Sequence, residues 1–230
     1  QCDESIDLVI PRGGEGLIKF VAKTSTIPVL KHYKGVCHMY VDVSADLKMA
    51  REILIDGKIS RPSVCNALET LLVHEKVAKD FYKIIETDET LQQVEFAGCE
   101  KTRKLLPSAI PATEADYAAE YLSLKIAAKV VGSLDEALAH IQQYTSDHTE
   151  IIITNNYNNS QKFINTINSS VVMVNASSRF SDGGEFGLGA EIGISTSKLH
   201  AYGPMGVESL TTEKFVVFGD GQIRHPITNH

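Results

Sequence analysis

Cys65 stands in the run Ser60-Arg61-Pro62-Ser63-Val64-Cys65-Asn66-Ala67-Leu68-Glu69-Thr70, where a proline turn separates a helical pattern from an apolar strand. A thiol at such a junction is exposed at a sheet end. A neighbouring guanidinium, Arg61, favours the thiolate, the form that attacks an electrophilic carbon. The same residue also reads as a buried, inert thiol, the commoner state of an unpaired cysteine. His74, nine residues on, projects from the far end of the following strand and is a poor base for it. A second candidate is Arg12-Gly13-Gly14-Glu15-Gly16, between a strand and a helix. Glycines there let main-chain N–H groups approach a phosphate, and the helix N-terminus adds partial positive charge. The spacing is not GxGxxG, and a tight strand-to-helix turn needs the same residues. A third is Asn175-Ala176-Ser177-Ser178-Arg179-Phe180, with a guanidinium beside two serines at the carboxyl end of a strand. That grouping suits a carboxylate or a phosphate; a solvated arginine pinning the next glycine loop is the other reading. Asp56, Glu69 and the eight histidines show no HExxH or other ligand spacing, so no metal is expected.

The elements that must position these residues alternate short β-branched runs with amphipathic stretches, the pattern of a parallel α/β sheet. Strands are predicted at 8–10, 27–30, 37–41, 71–73, 151–153, 171–174 and 215–218. Helices are predicted from the glycine loop through Val21, after Ser44 as N-cap with Leu47, Ala50, Ile53 and Leu54 on one face, and from Lys76 to Ile85. Ser133 with Glu136 has capping-box spacing ahead of Leu134, Ala137, Leu138 and Ile141. Order is weakest at 96–114, where Lys and Pro interrupt the apolar periodicity, and at the glycine-rich 177–189. A loop of that length inside a compact domain is usually functional.

The chain has 230 residues, 22 Lys+Arg against 29 Asp+Glu, and a formal net charge of −7. An acidic balance disfavours nucleic acid and anionic membrane as partners, because both need a basic surface. With 43% hydrophobic and 22% charged residues the chain is an ordinary globular one, too large to need disulfide or metal staples and without an apolar run long enough to span a bilayer. Cys2, Cys37, Cys65 and Cys99 have no paired spacing and read as reduced thiols of a cytoplasmic protein. No secretory leader is read at the start, and Gln1 in place of Met suggests a beginning inside a longer product or after tag removal.

The stretches IPRGGEGLI, RPSVCNALETLLVH and NASSRFSDGGEFGLGAEIGISTSKLHAYGPMG, in this order over nearly the whole chain, resemble gamma-glutamyl phosphate reductases of the aldehyde dehydrogenase superfamily. The resemblance implies an aldehyde-dehydrogenase-like α/β fold. Residues 1–32 would be the last βα unit of a Rossmann-like NADP-binding domain, 33–195 a parallel-sheet catalytic domain, and 196–230 a return segment with the oligomerisation strand. It also implies NADPH-dependent reduction of L-glutamyl 5-phosphate to L-glutamate 5-semialdehyde through a cysteine thioester, in proline biosynthesis. Cys65 matches the nucleophile, and its N–H is one expected oxyanion donor. Gly13 and Gly14 match the loop against the cofactor pyrophosphate, and Glu120 the acid that holds the nicotinamide ribose. Arg61, Asn66, Asn175, Ser178 and Arg179 fall in substrate-side segments. A homo-oligomer and channelling with glutamate 5-kinase are the implied partnerships. Two departures stand out. Leu30 to Val36 carries no acid where hydrolysing relatives have a Glu base, which fits a reductase. Tyr202 stands where the family typically has Arg. The alternatives are an inactive segment serving substrate-side binding or oligomerisation, and, more remotely, a thiol hydrolase pairing Cys65 with a histidine.

Overall fold

The structure, a computed structural model, describes residues 4–225; Cys2 lies outside them. Apolar runs become strands here because both of their faces find helices to bury against. In chain order, helix α1 (Glu15–Thr24) is followed by β1 (Cys37–Val41), α2 (Leu47–Ile59), β2 (Leu68–His74) and α3 (Glu75–Thr87). Then come β3 (Glu95–Gly98), α4 (Glu100–Leu105), β4 (Ile110–Pro111), α5 (Glu114–Tyr117), β5 (Lys125–Val131) and α6 (Leu134–Tyr144). Strand β6 (Thr149–Ile153), α7 (Tyr157–Thr166), β7 (Val171–Val174) and an antiparallel ribbon of β8 (Gly193–Ser195) and β9 (Gly203–Met205) complete the elements.

Strands β1 to β7 form one parallel sheet in the order β4-β3-β5-β2-β1-β6-β7. The two-residue alternation of side chains divides the core in two. Met39 and Val41, Leu71 and Val73, and Ile151 and Ile153 face α2 and α3, where they meet Leu54, Phe81 and Tyr82. Tyr40, Leu72 and Ile152 face α6 and α7, where they meet Leu138, Ile141 and Phe163. Each buried Leu, Ile or Phe contributes about 1.5–3 kcal/mol, so the layers carry the fold. The carboxyl edge is closed by Asp42, whose carboxylate accepts from the Ser44 and Thr154 hydroxyls and the Asn159 amide.

Several predicted features change. Asp46, not Ser44, caps α2, accepting from the N–H groups of Lys48 and Met49, because the Ser44 hydroxyl is committed to Asp42. Ser133 does cap α6 through the Glu136 N–H, but the Glu136 carboxylate accepts from Gly132 instead of closing a box on Ser133. A full box forms at Thr113 and Asp116. The runs at 8–10 and 27–30 meet in a single parallel bridge, Val9 to Val29. Pro28 lacks an N–H and neither run has a second neighbour, so the ladder stops there. Residues 96–114 are well built, with β3, α4, β4 and α5 and with Leu106 and Ala109 buried; the interrupting lysines lie on the outer side of α4. Strand β5 was hidden by the two lysines and two alanines of KIAAKVV, yet it is next to β2. Residues 215–218 have no regular structure, and Phe215 and Phe218 are 98% and 95% exposed. Among the described residues no segment pairs with them, and a strand needs a partner to satisfy its backbone.

Candidate active site

Cys65 lies in the turn between α2 and β2, at the amino edge of the sheet. Its main chain is held closely. A Cβ added at Gly35 would sit 1.9 Å from the Cys65 carbonyl oxygen, so only glycine lets the two backbones meet. The buried Cys37 thiol donates to the same oxygen at 3.4 Å. Cys65 lines a cavity of about 470 Å³ together with Pro11, Arg12, Gly13, His32, Glu191 and Ile194. The glycine loop and the thiol, remote in sequence, therefore share one space.

The electrostatics of the thiol differ from the sequence expectation. Burial pushes the Cys65 thiol up to about 11, and the Glu191 and Glu120 carboxylates push the same way. Its own main-chain N–H and the Arg179 guanidinium oppose them. Arg61, expected to favour the thiolate, is exposed, and the cation that acts on Cys65 is Arg179. Glu191 accepts from the Gly183 N–H at 2.9 Å, and burial raises its carboxyl. Glu120 accepts from the Gly35 N–H at 2.8 Å, and Lys34 holds the same segment by donating to the Ala118 carbonyl at 2.6 Å. Burial raises the Glu120 carboxyl, with the Gly35 N–H and Lys34 pulling it down.

Arg179 reaches this edge by a route the sequence conceals. It follows the carboxyl end of β7, but residues 175–181 fold back to the amino edge. There the Asn66 amide donates to the Ser181 carbonyl at 3.0 Å, and the Thr149 hydroxyl donates to the Ser181 hydroxyl at 2.9 Å. Asn66 is thereby tied beside Cys65, its Oδ1 buried without a partner among the described residues. Ser178 is fully buried in the crease of Gly57 and Leu68 and does not line the cavity. Asn175 is separated from the group: it stays at the carboxyl edge with φ +56°, its amide paired both ways with the Thr154 main chain. That left-handed position and double clip give it a backbone role at the carboxyl edge, away from the cavity that Cys65 lines. Gly14 is the N-cap of α1, one residue outside the cavity lining. Tyr202 donates to the Asn168 carbonyl at 2.6 Å.

Gly35, His32, Glu191 and Lys58 were not singled out from the sequence, and Glu69 was weighed there only as a metal ligand. The one available signal was Glu69 itself, a carboxylate within the apolar run LETLLVH, which must be paired wherever that strand is buried on both faces.

No protein-family model matches the chain. Over 225 residues it is 63% identical to a gamma-glutamyl phosphate reductase of Salinibacter ruber and 58% identical to that of Xanthomonas oryzae, each match covering 98% of the chain. The likeness is to gamma-glutamyl phosphate reductase. The chain spans about half the length of these relatives, 52% and 54%. The crystal structure of gamma-glutamyl phosphate reductase from Thermotoga maritima superposes with a TM-score of 0.92 at 53% identity, over 97% of this chain and 54% of that one. An acetylating aldehyde dehydrogenase from Geobacillus thermoglucosidasius, 18% identical with a TM-score of 0.73 over 96% of this chain and 58% of that one, shares the fold. The fold is thus the aldehyde-dehydrogenase-like α/β arrangement. Among the described residues no helix is long and apolar enough to cross a membrane.

Proposed function

We propose that the chain is the catalytic segment of an NADPH-dependent reductase that converts L-glutamyl 5-phosphate to L-glutamate 5-semialdehyde. The observation that carries this reading is the cavity in which Cys65 meets the Pro11-Arg12-Gly13 loop. Residues 1–32 then act as the end of a cofactor domain, 33–195 as the catalytic domain, and 196–230 as the return segment.

The residues present fit the nicotinamide end of such a cofactor. Gly13, at φ +153°, brings backbone to the cavity wall, α1 begins at Gly14 with no side-chain cap among the described residues, and Glu120 stands beside Gly35. Gly13 and Gly14 would lie against the pyrophosphate and Glu120 would hold the ribose. The neighbour with bound NADP+, an engineered glycolyl-CoA reductase, shares the fold at 14% identity. The bound cofactor would supply a hydride to the acyl carbon.

The chain's own residues do the rest. The Cys65 sulfur attacks the acyl carbon, a C–S bond forms, and the C–O bond to phosphate breaks. The Arg179 guanidinium favours the Cys65 thiolate and would meet an anionic substrate group. The Cys65 N–H is available to the carbonyl oxygen as negative charge develops there. The thioester must survive until it is reduced, and the cavity protects it. His32 and Glu191 both stand on the wall; the His32 Nε2 is buried, and burial keeps its ring neutral.

The decisive experiment is Cys65→Ala in the full-length protein. NADPH- and glutamyl-phosphate-dependent turnover should disappear, and retained turnover overturns the reading. A second reading, an assembly module, rests on the exposed Phe215–Phe218 run, which would find its missing strand partner on a second copy. Replacing Phe215 and Phe218 by Ser should then reduce the oligomer to smaller species in light scattering; an unchanged mass removes that role.

A further inference from the structure

We propose that the buried Lys58–Glu69 pair is a positioning device that sets Glu120, and through Glu120 the contact between Gly35 and Cys65. This rests on the reading of Glu120 as a cofactor-side residue. The Lys58 ammonium lies 2.7 Å from Glu69 Oε2, and both side chains are 0% exposed. Neither charge is there for stability alone. Burying an ion pair costs about as much as its attraction returns, and apolar replacements of equal volume are often tolerated. The shifts agree: burial raises the Glu69 carboxyl to about 7 and lowers the Lys58 ammonium, so desolvation outweighs attraction on both sides.

What the pair does is seen at the other carboxylate oxygen. Glu69 Oε1 accepts from the Leu122 N–H at 3.2 Å, and the Tyr121 N–H also favours the ionised carboxylate. Lys58 lies over the Tyr121 ring at 5.9 Å. Leu122 has φ +53°, a left-handed conformation that a leucine holds only when its surroundings impose it. Residues 121–122 are therefore clamped from inside the sheet, directly after Glu120, while Lys34 clamps Ala118 just before it. Glu120, between the clamps, puts its carboxylate on the Gly35 N–H. Gly35 in turn packs on the Cys65 carbonyl. The chain of contacts runs Lys58, Glu69, 121–122, Glu120, Gly35, Cys65. It begins and ends within eight residues of sequence, on either side of one turn.

The test grades the acceptor at position 69 in the full-length protein. Two doubles, Lys58→Met with Glu69→Gln and Lys58→Met with Glu69→Leu, remove the pair and keep the volume. The first retains an amide oxygen for the two N–H groups; the second retains nothing. Amide exchange at Gly35, Tyr121 and Leu122 should rise about threefold in the first and at least about tenfold in the second, following the relative strengths of carboxylate, amide and absent acceptors. KM for NADPH should rise in the same order, with kcat changing by less. Unchanged exchange at Gly35 in the glutamine double overturns the proposal, and that variant suffices should the leucine double not fold. Glu120→Ala gives the direction. It should speed exchange at Gly35 and leave Tyr121 and Leu122 alone; faster exchange at all three means that Glu120 holds the segment and Glu69 does not. A parent protein that fails to bind NADPH sinks the reductase reading, while the exchange series still decides the positioning role.

Discussion

Gly35→Ala isolates the closest backbone approach in the site. The added methyl would lie 1.9 Å from the Cys65 carbonyl oxygen, 2.8 Å from its carbon and 3.0 Å from Cα, where ordinary contact starts at 3.4 Å. Relief needs a separation of about 1.5 Å, the difference between 3.4 and 1.9, and all three atoms are main chain, so no rotamer can give way. Either the Cys65 turn moves or the Gly35 segment does, and the second option pulls the Gly35 N–H from Glu120. Misplacing a reacting group by about 1 Å costs on the order of a hundredfold in rate, and overpacking costs about 1–3 kcal/mol in stability. The full-length variant should therefore lose about a hundredfold in kcat/KM and label at Cys65 at a changed rate, while Cys99, which caps α4, labels at the parental rate. Urea unfolding measures the stability part. Gly16→Ala is the control, because a Cβ there meets nothing within 4 Å. A Gly35→Ala protein with parental alkylation, turnover and stability would refute the steric reasoning.

Three further outcomes are expected. Alkylation of Cys65 should keep rising with pH toward about 11. Glu191→Gln should shift that profile to lower pH and Arg179→Gln to higher pH; an inflection at pH 7 in the parent would contradict the burial argument. Lys58→Met alone leaves Glu69 buried and unpaired, and should cost about 3 kcal/mol or more. That loss has a sign in pH. Glu69, raised from 4.5 to about 7, holds its proton longer when folded, so its own contribution to stability is fully present below pH 4.5 and is lost as pH rises through 7. Removing the lysine should widen that fall, and denaturant unfolding at pH 5.5 and 8.5 would show no difference if the carboxyl were not buried. Asn175→Ala should cost about 2 kcal/mol through its left-handed backbone and lost amide bonds, yet leave Cys65 alkylation within twofold of the parent. A large change in that rate would return Asn175 to the site.

The legible parts of the molecule were those written in local pattern. Cys65 stood out because a cysteine after a proline turn and before a buried strand is a local arrangement, and the glycine loop was equally local. The Ser133 cap, β1, β6 and β7 came from capping chemistry and apolar runs of ordinary length. Other features needed neighbours. Local pattern put the α2 cap at Ser44, and only the Asp42 carboxylate, which takes up the Ser44 hydroxyl, leaves the cap to Asp46. β5 reads as a helix or a strand until β2 and β3 line up beside it. Arg61 was the cation expected beside the thiol and Arg179 one suited to a carboxylate or phosphate, but the first turns to solvent and the second returns across the sheet.

By itself the sequence determined the α/β class and singled out Cys65 and the glycine loop as candidates, since each depends on residue type and spacing over a few positions; that the two share one cavity is tertiary. The tertiary structure decided which charges act on the thiol, that Asn175 stands at the opposite edge, and that Glu69, Glu120 and Gly35 form one line of contacts to Cys65. Those are matters of distance across strands. Distance sets the strength of a charge, the fit of a methyl group and the reach of a hydrogen bond, and no pattern along the chain encodes it.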